Sequence, residues 1–151
     1  MKILKNGILL LFTIVALASC NNSKSGGGLC DNECTYTIAA GETAGTVASA
    51  AEGTHNLTFH YAAANSPIAD GTKATFTVSD NTLTVEIEGM DCITIKNPIS
   101  RFSGSTEVSF IDNCSSVKLS FDVSEHNGSL NEVNLSSGDG NFTFLGQFND
   151  R

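Results

Sequence analysis

Ala74-Thr75-Phe76-Thr77-Val78-Ser79-Asp80-Asn81-Thr82-Leu83-Thr84-Val85-Glu86-Ile87-Glu88 is the stretch whose reading decides the fold. Apolar side chains recur at every second position on both sides of Asp80-Asn81, the period of a strand with one buried face. If Asp80-Asn81 is a two-residue turn of the kind that tolerates positive φ, Ser79 faces Thr82, Val78 faces Leu83, Thr77 faces Thr84 and Phe76 faces Val85. Each apolar residue then meets another, and Thr75, Thr77, Ser79, Thr84 and Glu86 form the wet face. Gly89 ends the hairpin.

The same alternation extends outward in both directions. Upstream, Leu57, Phe59 and Tyr61 share one face and Thr58 and His60 the other, while Tyr36 and Ile38 alternate with Thr35 and Thr37. Ala39–Gly53 is Ala-rich and without a clear period, open to a weak strand near Val47 or a short helix. Downstream, Cys92–Lys96 with Ile93 and Ile95 runs to Asn97-Pro98, where proline stops a ladder. Val108 and Phe110 mark the next strand, and Val117, Leu119, Phe121 and Val123 alternate with Lys118, Ser120 and Asp122. Asn127-Gly128 is a strong turn signal, Val133 and Leu135 lead to Gly138-Asp139-Gly140-Asn141, and Phe142, Phe144, Leu145 and Phe148 close the chain. The fold class predicted is all-β: an antiparallel β-sandwich or a small meander barrel of roughly eight strands, with the sandwich preferred. Such a meander can close like a lipocalin barrel, but the Gly-x-Trp signature of that family is absent because the chain has no Trp.

The first residues carry a different message. Lys2 and Lys5 precede the apolar run Ile8–Ala18, which is followed at once by Asn21-Asn22-Ser23. That is a secretory leader, too short to span a bilayer, which needs ~20 apolar residues. Leu17-Ala18-Ser19-Cys20 resembles the lipobox of bacterial lipoproteins, a Leu, two small residues and then Cys. The resemblance implies a signal peptide over residues 1–19, cleavage before Cys20, and a diacylglyceryl group and acyl chains of the palmitate kind on Cys20. Two or more chains hold a protein stably on a membrane where one does not. An ordinary signal peptide ending in Ser-Cys is the alternative. In proteobacterial lipoproteins an Asp after the Cys favours the inner membrane; Asn21 stands there instead, which leans towards the outer membrane and leaves the leaflet open. Residues 20–29, with Gly26-Gly27-Gly28, read as lipidated Cys and flexible tether, and residues 30–151 as a single all-β domain.

Charge narrows the partners. The formal charge is −8; without Lys2 and Lys5, six basic residues stand against sixteen acidic ones, a net of −10. Such a surface repels phosphate backbones and argues against nucleic acid. With Cys20 assigned to lipid, Cys30, Cys34, Cys92 and Cys114 remain in an exported chain, where disulfides persist. Successive antiparallel strands would bring Cys92 to Cys114 and leave Cys30 to pair with Cys34 locally. A zinc site is the competing account of four cysteines; its spacing fits poorly and the oxidising compartment decides for disulfides, and neither a metal nor a cofactor is expected.

No catalytic constellation stands out. His55, His60 and His126 lack a partner motif, and His55 and His60, on opposite faces of one strand, cannot share a metal. Glu86 and Glu88 share a face at a spacing of ~7 Å, within the range of paired carboxylates in glycoside hydrolysis. Asp139-Gly140-Asn141 has some character of a calcium turn but lacks the EF-hand periodicity. Two functions follow as expectations. One is a lipid-anchored envelope module, binding or structural and without enzymatic activity, that recruits a protein, glycan or small ligand. The other is a cell-surface polymer hydrolase using Glu86 and Glu88. An apolar cavity or an exposed aromatic row favours the first, and a cleft joining two carboxylates the second.

Overall fold

The structure, a computed structural model, describes residues 30–151. The leader, Cys20 and the tether lie outside the described residues. The strands are β1 (Glu33–Thr35), β2 (Gly53–His60), β3 (Lys73–Ser79), β4 (Thr82–Ile87), β5 (Ile93–Lys96), β6 (Ile99–Ser100), β7 (Val108–Asp112), β8 (Leu119–Val123), β9 (Glu132–Ser137) and β10 (Phe144–Asn149). They form one sheet in the order β1-β5-β4-β3-β2-β10-β9-β8-β7-β6. The class is all-β, as expected, but the arrangement is a single curled, mixed sheet making a half-barrel and not a sandwich of eight strands.

The physical reason lies in the connections. Consecutive strands lie side by side, joined by turns and by longer loops such as residues 61–72 between β2 and β3, producing one meander from β2 to β5 and another from β6 to β10, and β10 then pairs antiparallel with β2 through Phe148↔Phe59. The two meanders are thereby hydrogen-bonded into one surface, leaving no second sheet to stack among the described residues. Alternation alone fits either outcome, because both bury one face of every strand.

The β3–β4 hairpin has the register read from its sequence, with Ser79↔Thr82, Val78↔Leu83, Thr77↔Thr84 and Phe76↔Val85, and Asp80 and Asn81 both take positive φ. Asn127-Gly128 is likewise a turn with both φ positive. The concave face holds one cluster in which Phe59, Phe76, Phe110, Phe121 and Phe148 are all under 2 % exposed. Burying a side chain of that size stabilises by roughly 1.5–3 kcal/mol, so this cluster is the main term holding the curl.

Three local expectations change. Tyr36 and Ile38 fall outside β1, whose three residues pair in parallel with β5. The Ala-rich stretch becomes a bridge from Ala44 to Ile99 and a single 3-10 turn at Ser49–Ala51. Tyr61 leaves the face of Leu57 and Phe59: a φ of 56° turns it outward, and it is 66 % exposed.

The disulfides also differ from the expected Cys92–Cys114 and Cys30–Cys34. Cys30 is bonded to Cys92 and Cys34 to Cys114, with Cα separations of 5.6 and 5.7 Å. Parallel pairing of β1 with β5 explains the change. It aligns Glu33 with Thr94 and Cys34 with Ile95, which carries Cys30 alongside Cys92. Extended chain at ~3.3 Å per residue puts Cys30 and Cys34 about 13 Å apart, too far for a bridge. Cys34 is therefore free to meet Cys114, just beyond β7, and that bond ties one end of the curled sheet to the other.

Candidate functional site

The outward face of β7, β8, β9, β10 and β2 carries a row of polar side chains aligned strand by strand. Ser109 lies opposite Asp122, Asp122 opposite Asn134, Asn134 opposite Gln147, and Gln147 opposite His60. Each belongs to the polar phase of its strand, so the same alternation that fills the core assembles this row. Gln147 Nε2 donates to Asn134 Oδ1 at 2.9 Å, and Asn149 Nδ2 donates to Gln147 Oε1 at 2.9 Å. Asn134, Gln147 and His60 are half-buried and remain open to a ligand on their outer side.

At one end Asp122 is only 3 % exposed. An isolated carboxylate would not survive there. It accepts hydrogen bonds from Ser109 Oγ and Ser120 Oγ, and Arg101 Nη2 lies 3.7 Å from its second oxygen. Arg101 Nε is 3.9 Å from Glu107, and its guanidinium sits 5.7 Å from the Phe102 ring centre and 5.0 Å from that of Phe142. The arginine thus neutralises the row's buried acid while two aromatic faces hold it in place. A cleft of ≈ 430 Å³ opens beside it, lined by Arg101, Phe102, Phe142 and Glu42.

At the other end a cleft of ≈ 580 Å³ is lined by His60, Tyr61, Asp70, Asn149 and Arg151. The Tyr61 ring stands 6.4 Å from the His60 ring, edge to face. His60 Nε2 is 3.1 Å from the Arg151 carbonyl, and Nδ1 is 3.9 Å from Asp70. Phe144 lies opposite Ser136 on this same outward face and is 48 % exposed. The three exposed aromatic side chains among the described residues, Tyr61, Phe102 and Phe144, all border the row.

Glu107 shows the electrostatics of the site. Burial pushes its carboxyl above the ordinary range, Asp122 and Glu132 push it the same way, and Arg101 opposes them. An acid whose pKa is raised by folding weakens the fold once both states have lost the proton, and this penalty vanishes at low pH. Glu107→Gln should therefore be more stable than wild type at pH 7, by no more than about 1 kcal/mol because the group is partly solvated. Urea midpoints measured from pH 7 downward should converge as pH falls through the Glu107 folded pKa; a gain that persists at low pH would refute this account.

The residues singled out from sequence fall elsewhere. Glu86 and Glu88 line an open groove of ≈ 710 Å³ with Lys73, Asn56, Thr75 and Met90, Glu86 half-buried and Glu88 exposed. The structure does join these carboxylates in one groove, away from the polar row. His55 Nε2 is 3.1 Å from the Ala51 carbonyl, and His126 bridges Ser129 in the turn. Asp139 Oδ1 accepts from Asn141 N at 3.1 Å and Ser137 Oγ at 2.9 Å, a self-contained turn whose bonds hold the carboxyl below the usual range. Cys34, Asp112 and Cys114 form the cluster with metal-ligand spacing among the described residues, but its two sulfurs are bonded to each other. Arg101, Glu107 and Asn134 drew no attention in the sequence. The signal available was that Asp122, Asn134 and Gln147 all sit in the polar phase of strands.

No protein-family model matches the chain, and no curated protein or solved structure does either.

Proposed function

We propose that the chain is a lipid-anchored envelope binding module, held by Cys20 at the outer membrane, whose outward sheet face recruits an extended ligand. The observation that carries the reading is that Tyr61, Phe102 and Phe144, the exposed aromatics among the described residues, all lie along one polar row. Exposed aromatics cost free energy in water, and their alignment beside half-buried amides is what a binding face offers. The lipobox and the tether before Cys30 support the anchored placement. The test uses the full lipidated protein captured from envelope fractions. Wild type should retain an envelope component that Tyr61→Ala/Phe144→Ala loses, and a palmitate analogue fed to the cells should label wild type and not Cys20→Ala. Equal retention by the aromatic double variant would overturn the face, and label surviving Cys20→Ala would overturn the anchor.

A second reading, polymer hydrolysis, is favoured by the groove that joins Glu86 and Glu88. It stands behind the first because both carboxylates lie at an open surface, whereas a general acid needs an environment that keeps its proton near neutral pH. Loss of a measured hydrolytic rate in Glu86→Gln or Glu88→Gln would reverse that order.

A further inference from the structure

We infer that the ligand of the outward face is a neutral oligosaccharide, laid across β8, β9, β10 and β2 with its rings against Tyr61 and Phe144; this rests on the binding reading above. The first support is the charge state of the row. Its buried acid, Asp122, is matched by Arg101 at 3.7 Å, and the members beyond it are two amides and an imidazole, Asn134, Gln147 and His60. A phosphate or uronate polymer would find Arg101 already matched, a single further cation, Arg151, in the cleft at the His60 end, and a net acidic protein around it. A cationic peptide would find Glu132, a carboxylate beside the row, already accepting from Asn134 Nδ2 at 3.4 Å. Side-chain amides offer donors and acceptors on one group, which is the complement of a hydroxyl that does both.

The second support is backbone geometry. Tyr61 has a φ of 56° and Phe142 a φ of 45°. Bulky residues adopt such values at a cost of order 1–3 kcal/mol, and strain of this kind gathers at binding sites. The turn at Tyr61 takes its ring out of the apolar phase of β2 and stands it beside His60. The positive φ of Phe142 accompanies its stacking on the guanidinium that caps the row. Sugar rings have apolar C–H faces and polar rims, so exposed aromatics beside a row of amides meet both.

The third support is length. Four adjacent strands at ~4.8 Å spacing give a row of about 14 Å, the scale of a few sugar units. The row is an open face with a cleft at either end, suited to the middle of a polymer more than to a monosaccharide.

The test is native gel electrophoresis of the full lipidated chain in detergent, with a soluble neutral polysaccharide (glucan, mannan, xylan or galactan) cast in the gel, beside gels holding alginate or none. At least one neutral polysaccharide should retard wild type, and Tyr61→Ala, Phe144→Ala and Gln147→Ala should each weaken the retardation constant about tenfold. These side chains are exposed or half-buried, so unchanged urea midpoints will confirm that the variants fold. Retardation by alginate alone, by no polysaccharide, or equally in wild type and variants would overturn the inference. If no polysaccharide retards the protein while Tyr61→Ala/Phe144→Ala still loses an envelope protein, the oligosaccharide is wrong and the binding face stands; if the double variant also loses nothing, both fall.

Discussion

Cys34→Ala/Cys114→Ala is expected to lose about 4.5 kcal/mol of stability, the value that loop-closure entropy assigns to a bond spanning a sequence separation of 80. Against the 5–15 kcal/mol typical of a whole domain, such a loss brings the fold close to its limit at 37 °C. Cys30→Ala/Cys92→Ala, with a separation of 62, has nearly the same entropic value on length alone. The structure separates the two. Cys30–Cys92 lies beside β1 and β5, which are already paired over three residues, so its removal leaves the local contacts in place. Cys34–Cys114 joins opposite ends of the sheet, where the other ties include the short chain link Asn97-Pro98, the bridge from Ala44 to Ile99 and the packing of β5 on β7. The Cys34 side chain is fully buried, so its loss also opens the core. Urea unfolding under non-reducing conditions should show the larger fall in midpoint for Cys34→Ala/Cys114→Ala, and peptide mapping should recover the Cys30–Cys92 and Cys34–Cys114 pairs. A variant within about 1 kcal/mol of wild type would mean that the curl does not depend on that tie.

The contrast between the hairpin and the disulfides shows where sequence reading stopped. From Ala74 to Glu88 both arms alternate strictly, and Asp80-Asn81 admits positive φ, so one register satisfies every position and the structure has it. The pairing of β1 with β5 has no such local signature. Its partners lie some sixty residues apart and run parallel, and a three-residue strand is too short for periodicity to mark, so the cysteines were assigned from the wrong neighbours. The candidate site was legible one strand at a time. Ser120 and Asp122 read correctly as the polar phase of β8, but their burial depends on a serine from β7, Ser109, and an arginine from a loop, Arg101. The row from Ser109 to His60 needs three hairpin registers and the non-local pairing of β10 with β2 to be right together. Only that last pairing places Gln147 beside His60. Tyr61 shows the limit most directly: its phase assigns it to the core, and a single φ reverses it.

The same β2–β10 seam sets the second large effect. Gly146→Ala is expected to cost about 3 kcal/mol, at the upper end of what overpacking does in a filled core. A Cβ built there overlaps the outer edge of the Phe59 ring, at Cζ and both Cε atoms, and Gly146 has a φ of 148°, a conformation that side chains rarely adopt. The ring cannot step aside. Phe59 is fully buried, its centre is 4.7 Å from that of Phe148, and Phe148 is in turn 4.9 Å from Phe76. Gly146 also sits where β10 shifts register against β9 between Phe144 and Gly146, so a displaced backbone would move Phe144 and Gln147 on the outward face. Two causes, steric overlap and backbone strain, are therefore superimposed, and Phe59→Leu separates them. If overlap dominates, Gly146→Ala in the Phe59→Leu background should cost at least about 1 kcal/mol less than in wild type, a coupling that a double-mutant cycle resolves. Additive costs would assign the loss to φ alone. In either case Gly146→Ala should weaken ligand retention more than its exposure suggests, because the glycine that lets Phe59 reach Phe148 also sets the height at which β10 presents Gln147 between Asn134 and His60.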